Sequence, residues 1–432
     1  MRLGVVPVLE RSWGGMYQYS VTLLHALDEL HFDDQIVLFV ADEDLVPADL
    51  REAGFEIVEL PDFHHLNTVR RIAQQVLPPA AANRLVRALK SARGADAEAS
   101  RARALGEQGV WRKWFAAYGI DLLMFTVENE IAFQSGIPYV VSIHDLQHKI
   151  QPHLPEFADE SDWERREYRM RNAIANATVV LVDSPEGRED VLHYYGNTGV
   201  DADAVMPLPS APAHYLSEMP SAERRSAVRS RYALPDDYLF YPAQFWPHKN
   251  HRRIVEALGI LALDGVRPHL ALAGSKSGRL RQRTYEDVLL AASRLGVSDQ
   301  VHYLGYVPDE DMAALYAEST ALVMPTFFGP TNIPVIEAWH FDLPVITSDL
   351  RGIREQVEDA AVLVDPESAA SLAAGIRRVL KDEELRSRLV ANGHKQLAKY
   401  THEDYLARVA EVLSEAKRRV EEARDAERGS RS

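Results

Sequence analysis

Tyr238-Leu-Phe-Tyr-Pro-Ala-Gln-Phe-Trp-Pro-His-Lys-Asn-His251 sets an apolar run, a loop with one lysine and the approach to an amphipathic helix in direct succession. The run Tyr238–Pro242 reads as a β-strand, short and aromatic, and Arg252–Leu261 reads as a helix from its apolar spacing. Lys249 then lies on a loop at a strand's carboxyl end. The same rhythm extends both ways. Downstream, the strand candidates are His269–Ala273, Val301–Tyr306, Ala321–Pro325, Pro344–Thr347 and Ala361–Val364. Upstream, they are Leu3–Leu9, Gln35–Ala41, Phe55–Leu60, Asp121–Thr126, Tyr139–His144 and Thr178–Asp183. Strands alternating with helical stretches predict βαβ units, hence an α/β protein built on parallel sheets. Several strands end in Gly, Ser, Asp or His, which suits a ligand cleft at the carboxyl ends or, equally, ordinary helix caps.

The 432 residues exceed one ordinary core and divide about the proline-bearing stretch Met206–Pro235. The expected organisation is a first domain over 1–205, a linker over 206–235 and a second domain over 236–400. A C-terminal helix follows, with 421–432 expected to be disordered. The net charge of −16 weighs against a protein that coats nucleic acid, because phosphate neutralisation needs a basic surface. With no cysteine, the chain has no disulfide, zinc-thiolate site or thiol nucleophile. Leu3–Leu9, interrupted by Pro7, is too short for a signal peptide, and no window offers the roughly 20 apolar residues of a spanning helix. A cytoplasmic location is the expectation.

Four segments carry candidate chemistry. Lys249 can neutralise a diphosphate whose charge grows as a leaving group departs. In Pro325-Thr-Phe-Phe-Gly-Pro-Thr-Asn-Ile-Pro-Val-Ile-Glu-Ala338, Asn332 is placed to cap a helix whose free N–H groups suit an anion. Glu337, on that helix, suits the two hydroxyls of a ribose, although a carboxylate near a helix start is also favourable by itself. Gly14-Gly15, between a strand and a helix, lets backbone approach a phosphate, but the spacing is not the dinucleotide fingerprint, which disfavours a dehydrogenase. His144 closes an apolar strand, where it can bond a sugar hydroxyl, move a proton, or simply belong to a capping loop. Gly274-Ser275 ends another strand as a further cleft loop.

Taken in order, the glycine loop, the His144 loop, the Lys249 loop, Gly274-Ser275, Leu304-Gly305-Tyr306 and Glu337 resemble family 4 of the retaining GT-B glycosyltransferases. The likeness is strongest over Tyr238–Pro366 and covers most of the chain. It implies a GT-B fold, two Rossmann-like domains facing each other across a cleft, the first taking the acceptor and the second the nucleotide sugar, with the last helix, about 401–420, crossing back to the first domain. It implies a hexosyltransferase using a nucleotide-diphosphate sugar, GDP-mannose or a UDP-hexose, with a saccharide or lipid-linked acceptor and neither cofactor nor metal. Lys249 would hold the diphosphate and Glu337 the ribose, with Gly274, Ser275, Tyr306 and Val307 lining the nucleotide pocket. Thr331, Asn332 and Ile333 would present backbone amides, Gly14 and Gly15 would face the phosphate, and His144 would sit near the sugar as a catalytic group. Two positions depart from the family pattern. Gly329 stands where the first of two glutamates is usual, and Gln244, read as a donor ligand, stands where an arginine is usual.

The resemblance further implies transfer with retained anomeric configuration, the departing phosphate accepting the acceptor's proton. Two other readings compete: a GT-A metal site at Asp201-Ala202-Asp203, and a catalytically inactive sugar- or partner-binding relative. One segment stands apart in charge. From Arg70 to Lys113 there are ten Lys/Arg against three acidic residues, ending near Trp111, Trp114 and Phe115. It reads either as a peripheral contact with anionic lipid or a phosphorylated acceptor, or as a solvated helix pair.

Overall fold

A computed structural model of the chain describes residues 1–31, 35–61, 109–158, 160–211, 219–329 and 332–431. The first seven strands are β1 (Leu3–Val6), β2 (Ile36–Val40), β3 (Glu56–Glu59), β4 (Leu122–Phe125), β5 (Tyr139–Ile143), β6 (Val179–Val182) and β7 (Val205–Pro207). They form one parallel sheet in the order β3-β2-β1-β4-β5-β6-β7. Six more are β8 (Tyr238–Pro242), β9 (His269–Ala273), β10 (Val301–Gly305), β11 (Ala321–Met324), β12 (Val345–Ser348) and β13 (Ala361–Val364), in a second parallel sheet ordered β10-β9-β8-β11-β12-β13. This is the GT-B architecture. Strands β1, β4, β5 and β6 are buried at every residue, so their sequences are continuous apolar runs rather than alternating ones. In each sheet the connections reverse direction once, between β1 and β4 and between β8 and β11. A crevice opens at the carboxyl ends there, and ligands of such sheets lie in that crevice.

The final helix, His402–Arg431, seals the first domain. It inserts Tyr405, Val409, Val412, Leu413, Ala416 and Val420 into that domain's core. It continues through Arg431, where disorder is expected from the sequence over 421–432. Arg418 pairs with Glu415 and Glu422 along the helix, and Arg424 reaches Asp121 of the first domain at 2.6 Å. Asp201 pairs with Arg419 of the same helix at 2.7 Å and caps Asp203, so the Asp-x-Asp string holds two elements together.

The linker expected over 206–235 is largely structured. Met206 and Pro207 belong to β7, and Ala222–Arg231 is a helix whose Val228 is buried in the second domain's core. Arg224 and Arg231 from that helix meet the fully buried Asp311 at 2.7 and 2.6 Å, with the Tyr232 hydroxyl at 3.1 Å. A strand of three residues and a helix that is mostly Arg, Ser and Glu leave little periodicity to read. Residues 62–108, which hold most of the basic segment, lie outside the described residues. Its terminal aromatics are core groups instead of a membrane-facing patch: Trp111 is 7% exposed, Phe115 is fully buried, and Trp114 packs edge-on to both. Among the described residues no helix is long and apolar enough to cross a membrane.

Candidate active site

The two crevices face each other and enclose a cavity of about 400 Å3. Several bonds close it from both sides. The Gln18 amide donates to Asp309 at 3.3 Å, the Gln151 amide to the Phe327 carbonyl at 2.8 Å, and the His248 N–H to Glu156 at 2.9 Å. Gln244 spans the cleft more directly. Its Nε2 donates to the Ser12 carbonyl at 2.6 Å while its Oε1 accepts from Arg281 at 2.6 Å and from the Trp246 indole at 3.1 Å. Both ends of that amide are engaged within the protein, and the guanidinium behind it stacks on Trp246, 4.9 Å from the ring centroid.

Lys249 lies in the short 3-10 turn Pro247–Lys249, which Asn250 closes in a left-handed conformation, φ 60°. The Asn250 amide donates to the Pro325 and Pro366 carbonyls at 2.9 and 2.8 Å, pinning the turn to the loop after β11. Among the described residues the half-buried Lys249 ammonium has no hydrogen-bond or ion-pair partner. Burial pulls its pKa down to about 8, only partly opposed by the Asp145 and Glu156 carboxylates. A desolvated cation without a partner, facing a cavity, is poised for an anion.

His144 lines the same cavity from the first domain, and its ring is fully committed. Nδ1 lies 3.0 Å from Asp183 and Nε2 lies 2.7 Å from the Thr126 carbonyl. A carbonyl only accepts, so Nε2 carries a proton. Burial opposes the charge, but Asp183 and the two hydrogen bonds outweigh it and push the pKa up to about 9. His144 is therefore an imidazolium at neutral pH, with no lone pair to take a proton from an acceptor. Next to it Asp145 accepts from Gln147 N–H at 3.0 Å and pairs with Arg166, which keep it charged against burial.

Gly14 precedes the helix Gly15–Glu29 at φ 58°, and both glycines line the cavity. Gly274, Ser275, Tyr306, Val307, Ile333 and Glu337 line it from the second domain. Glu337 is 4% exposed and accepts from the Tyr316 hydroxyl. Asn332 occupies the N-cap of Ile333–His340, but two expectations for it fail. Its side chain donates to the Gly329 carbonyl at 3.0 Å instead of capping, and its backbone N–H is taken by Gln356 at 3.0 Å. The helix-start amide left to face a donor is that of Ile333, because Pro334 has none. Thr331 lies outside the described residues.

Residues 226–396 match the family described as Glycosyl transferases group 1. The second domain is a glycosyl transferases group 1 domain. Over a wider region the chain is similar to O-antigen chain mannosyltransferase B of Escherichia coli, 26% identical over 253 residues, which is 58% of this chain and 64% of that one. It is also similar to Alpha-D-kanosaminyltransferase of Streptomyces kanamyceticus, 23% identical over 260 residues, 60% of this chain and 65% of that one. The chain thus spans just under two thirds of the length of these relatives. Among solved structures, Anabaena HepE in complex with UDP and glucose superposes with a TM-score of 0.67 over 96% of this chain and 99% of that one, at 16% identity. That likeness extends the shared fold over both domains.

The group 1 domain supplies Lys249, Gly274, Ser275 and Glu337, the residues its sequence motifs single out. Asp145, Asp183, Trp246 and Arg281 were not legible as site residues. Trp246 sits inside the quoted Tyr238–His251 stretch and Asp145 directly follows His144, so a closer reading of those loops could have found them. Asp183 and Arg281 acquire roles only when His144 and Gln244 reach them across 39 and 37 residues.

Proposed function

We propose that the chain is a retaining, metal-independent hexosyltransferase, using GDP-mannose or a UDP-hexose and a saccharide or lipid-linked acceptor in cytoplasmic steps of envelope or polysaccharide synthesis. The observation that carries this is the Lys249 ammonium in the interdomain cavity with the Gly14-Gly15 turn, unpaired among the described residues. In the proposed reaction the bond from the sugar's anomeric carbon to the donor phosphate breaks as Lys249 and the Ile333 N–H take up the developing charge. The acceptor hydroxyl bonds to the same face, and its proton passes to the departing phosphate oxygen. The carboxylates that line the cavity are engaged already: Asp145 with Arg166, Asp183 with His144, Asp309 with Gln18, and Glu337 with Tyr316. Such engagement disfavours both a carboxylate nucleophile and a cluster of oxygens for a divalent ion. The His144 imidazolium, its two nitrogens held by Asp183 and Thr126, would add to the positive field beside the sugar. The similarity to a mannosyltransferase supports the first of these donors, and the fold shared with the HepE complex of UDP and glucose supports the second.

The test is turnover in excess EDTA with the product's anomeric coupling read by NMR. Retained configuration and undiminished rate are expected. An inverted product, or activity lost to chelation and restored by manganese, overturns the mechanism.

A second expectation concerns pH. Bound diphosphate favours the charged lysine and so raises its pKa above that of the empty site. Below about pH 8 the lysine is already protonated and affinity is level; above it, binding must take up a proton and weakens progressively. Titration calorimetry in buffers of different ionisation enthalpy would show proton uptake above that pH. Affinity that stays level as pH rises, with no uptake, would show that Lys249 does not meet the diphosphate.

A further inference from the structure

We propose that Glu156, in the first domain, is a positioning residue for Lys249: its carboxylate holds the turn that carries the lysine, so the opposite domain aligns the cation of the phosphate site. The inference rests on the glycosyltransferase reading and specifies what sets its principal charge in place.

Lys249 has no side-chain partner among the described residues, so the place of its ammonium is set by the backbone that carries it. That backbone is one 3-10 turn, and the start of the turn goes uncapped by its own N-cap residue. Trp246 makes no side-chain cap bond there, and Pro247 has no N–H. His248 therefore carries the first free N–H of the turn, a group that needs an acceptor. Glu156 provides one from across the cleft. A single carboxylate oxygen accepts from the His248 N–H and from its ring Nδ1, each at 2.9 Å. Burial opposes the charge, but these two bonds hold the Glu156 carboxyl below its usual range, and bonds to an ionised acceptor are the stronger kind.

The His248 carbonyl leads to the same segment of the first domain. It accepts from the Phe327 N–H at 2.8 Å, and the Phe327 carbonyl accepts from the Gln151 amide at 2.8 Å. Both backbone groups of the residue before Lys249 are thus tied to residues 151–156. That segment is firm, because Glu156 lies in the turn Pro155–Phe157 between the buried Leu154 and Phe157. A long, flexible lysine stem is aligned only as well as the turn it starts from.

Glu156 contributes little to the fold in return. Its side chain is 7% exposed, and its second oxygen is buried without a partner among the described residues. A buried carboxylate satisfied at one oxygen is a poor stabiliser. Together with Asp145 it also favours the charged form of Lys249. Position and charge are therefore separated by the choice of variant. Glu156→Gln loses the charge and keeps an oxygen to accept from His248, whereas Glu156→Ala loses both.

The test is steady-state kinetics of the full chain with the nucleotide sugar that the wild type turns over, hydrolysis of the donor included. Glu156→Ala is expected to lower kcat about tenfold or more, since a displacement of about an ångström at a reacting centre can cost a hundredfold. The donor KM should change far less, because the lysine matters most as the leaving group forms. Glu156→Gln should restore most of kcat. In a Lys249→Ala background, Glu156→Ala should cost almost nothing further, because it acts through the lysine. Full kcat in Glu156→Ala, an equal loss in the Gln and Ala variants, or an undiminished loss in the Lys249→Ala background overturns the proposal. Should Glu156→Ala fail to fold, Gln151→Ala decides: its kcat must fall with Lys249 present and hold with Lys249→Ala, and any other result overturns the proposal. If the wild type turns over a nucleotide sugar, such a failure leaves the donor reading standing. If it neither transfers nor hydrolyses any, the function proposed above fails and this role with it.

Discussion

Lys249→Ala is expected to lower kcat/KM about a hundredfold or more while leaving the melting temperature unchanged or raised. The two effects separate because of where the charge sits. Transition-state stabilisation by one well-placed donor or cation in a dry site is worth about 3–4 kcal/mol. Without a ligand the same ammonium has no hydrogen bond among the described residues, and burial has pulled its pKa down to about 8. Folding bears that desolvation with only the distant pull of Asp145 and Glu156 in return. Removing a poorly compensated charge relieves the fold even as it disables the site. Steady-state kinetics and a thermal melt on one preparation check both halves. Full activity in the variant contradicts the assigned site, and a large loss of stability makes Lys249 a structural residue.

Gly274→Ala should do the reverse and damage fold and site together. Gly274 directly follows β9 at φ 146°, a conformation that residues with a Cβ rarely adopt. A Cβ built there would lie 2.3 Å from the Ala243 carbonyl oxygen and 2.9 Å from the Gln244 nitrogen, both backbone atoms that cannot swing aside. Nor can Gly274 retreat, because its own N–H donates to the Gly305 carbonyl at 2.8 Å. The loop after β8 has to move, and with it Gln244, whose bonds to Ser12 and Arg281 tie the two domains over the donor cavity. Backbone strain and overpacking together should cost about 3–5 kcal/mol. That corresponds to a fall of roughly 10 °C in melting temperature for a domain of this size. Gly265→Ala is the comparison, since Gly265 has φ 73° but nothing within 4 Å of its Cβ position. It should lose only the conformational part, about 1 kcal/mol. Similar melts for the two variants would mean that the close approach of Gly274 to the Ala243–Gln244 loop is unimportant.

What the sequence revealed follows from which interactions are local. Each of the twelve strand candidates overlaps an observed strand, most of them because strands buried on both faces must be continuous apolar runs, whereas β3 and β10 are only partly buried. The missed strand, Val205–Pro207, is three residues long and ends in prolines that resemble a linker. The helix Ala222–Arg231 is missed because its fixed contacts are polar and reach Asp311, about 80 residues away. Loop residues at strand ends are likewise legible as candidates, and Lys249, Gly274 and Glu337 all line the cavity. Their partners are not. Nothing in the His144 loop announces that Thr126 and Asp183 will consume both ring nitrogens, and nothing around Asn332 announces that Gln356 will take its N–H. These are contacts between loops of separate βα units, set by packing and not by spacing.

The central claim is that a nucleotide-diphosphate sugar occupies the cavity between the domains and meets Lys249. Titration calorimetry of UDP, GDP and their hexose conjugates against the wild type and Lys249→Ala tests it most directly. The account predicts saturable one-to-one binding of at least one nucleotide by the wild type, weakened at least tenfold in the variant. Binding of equal strength in both proteins, or none of these nucleotides binding the wild type, would contradict it.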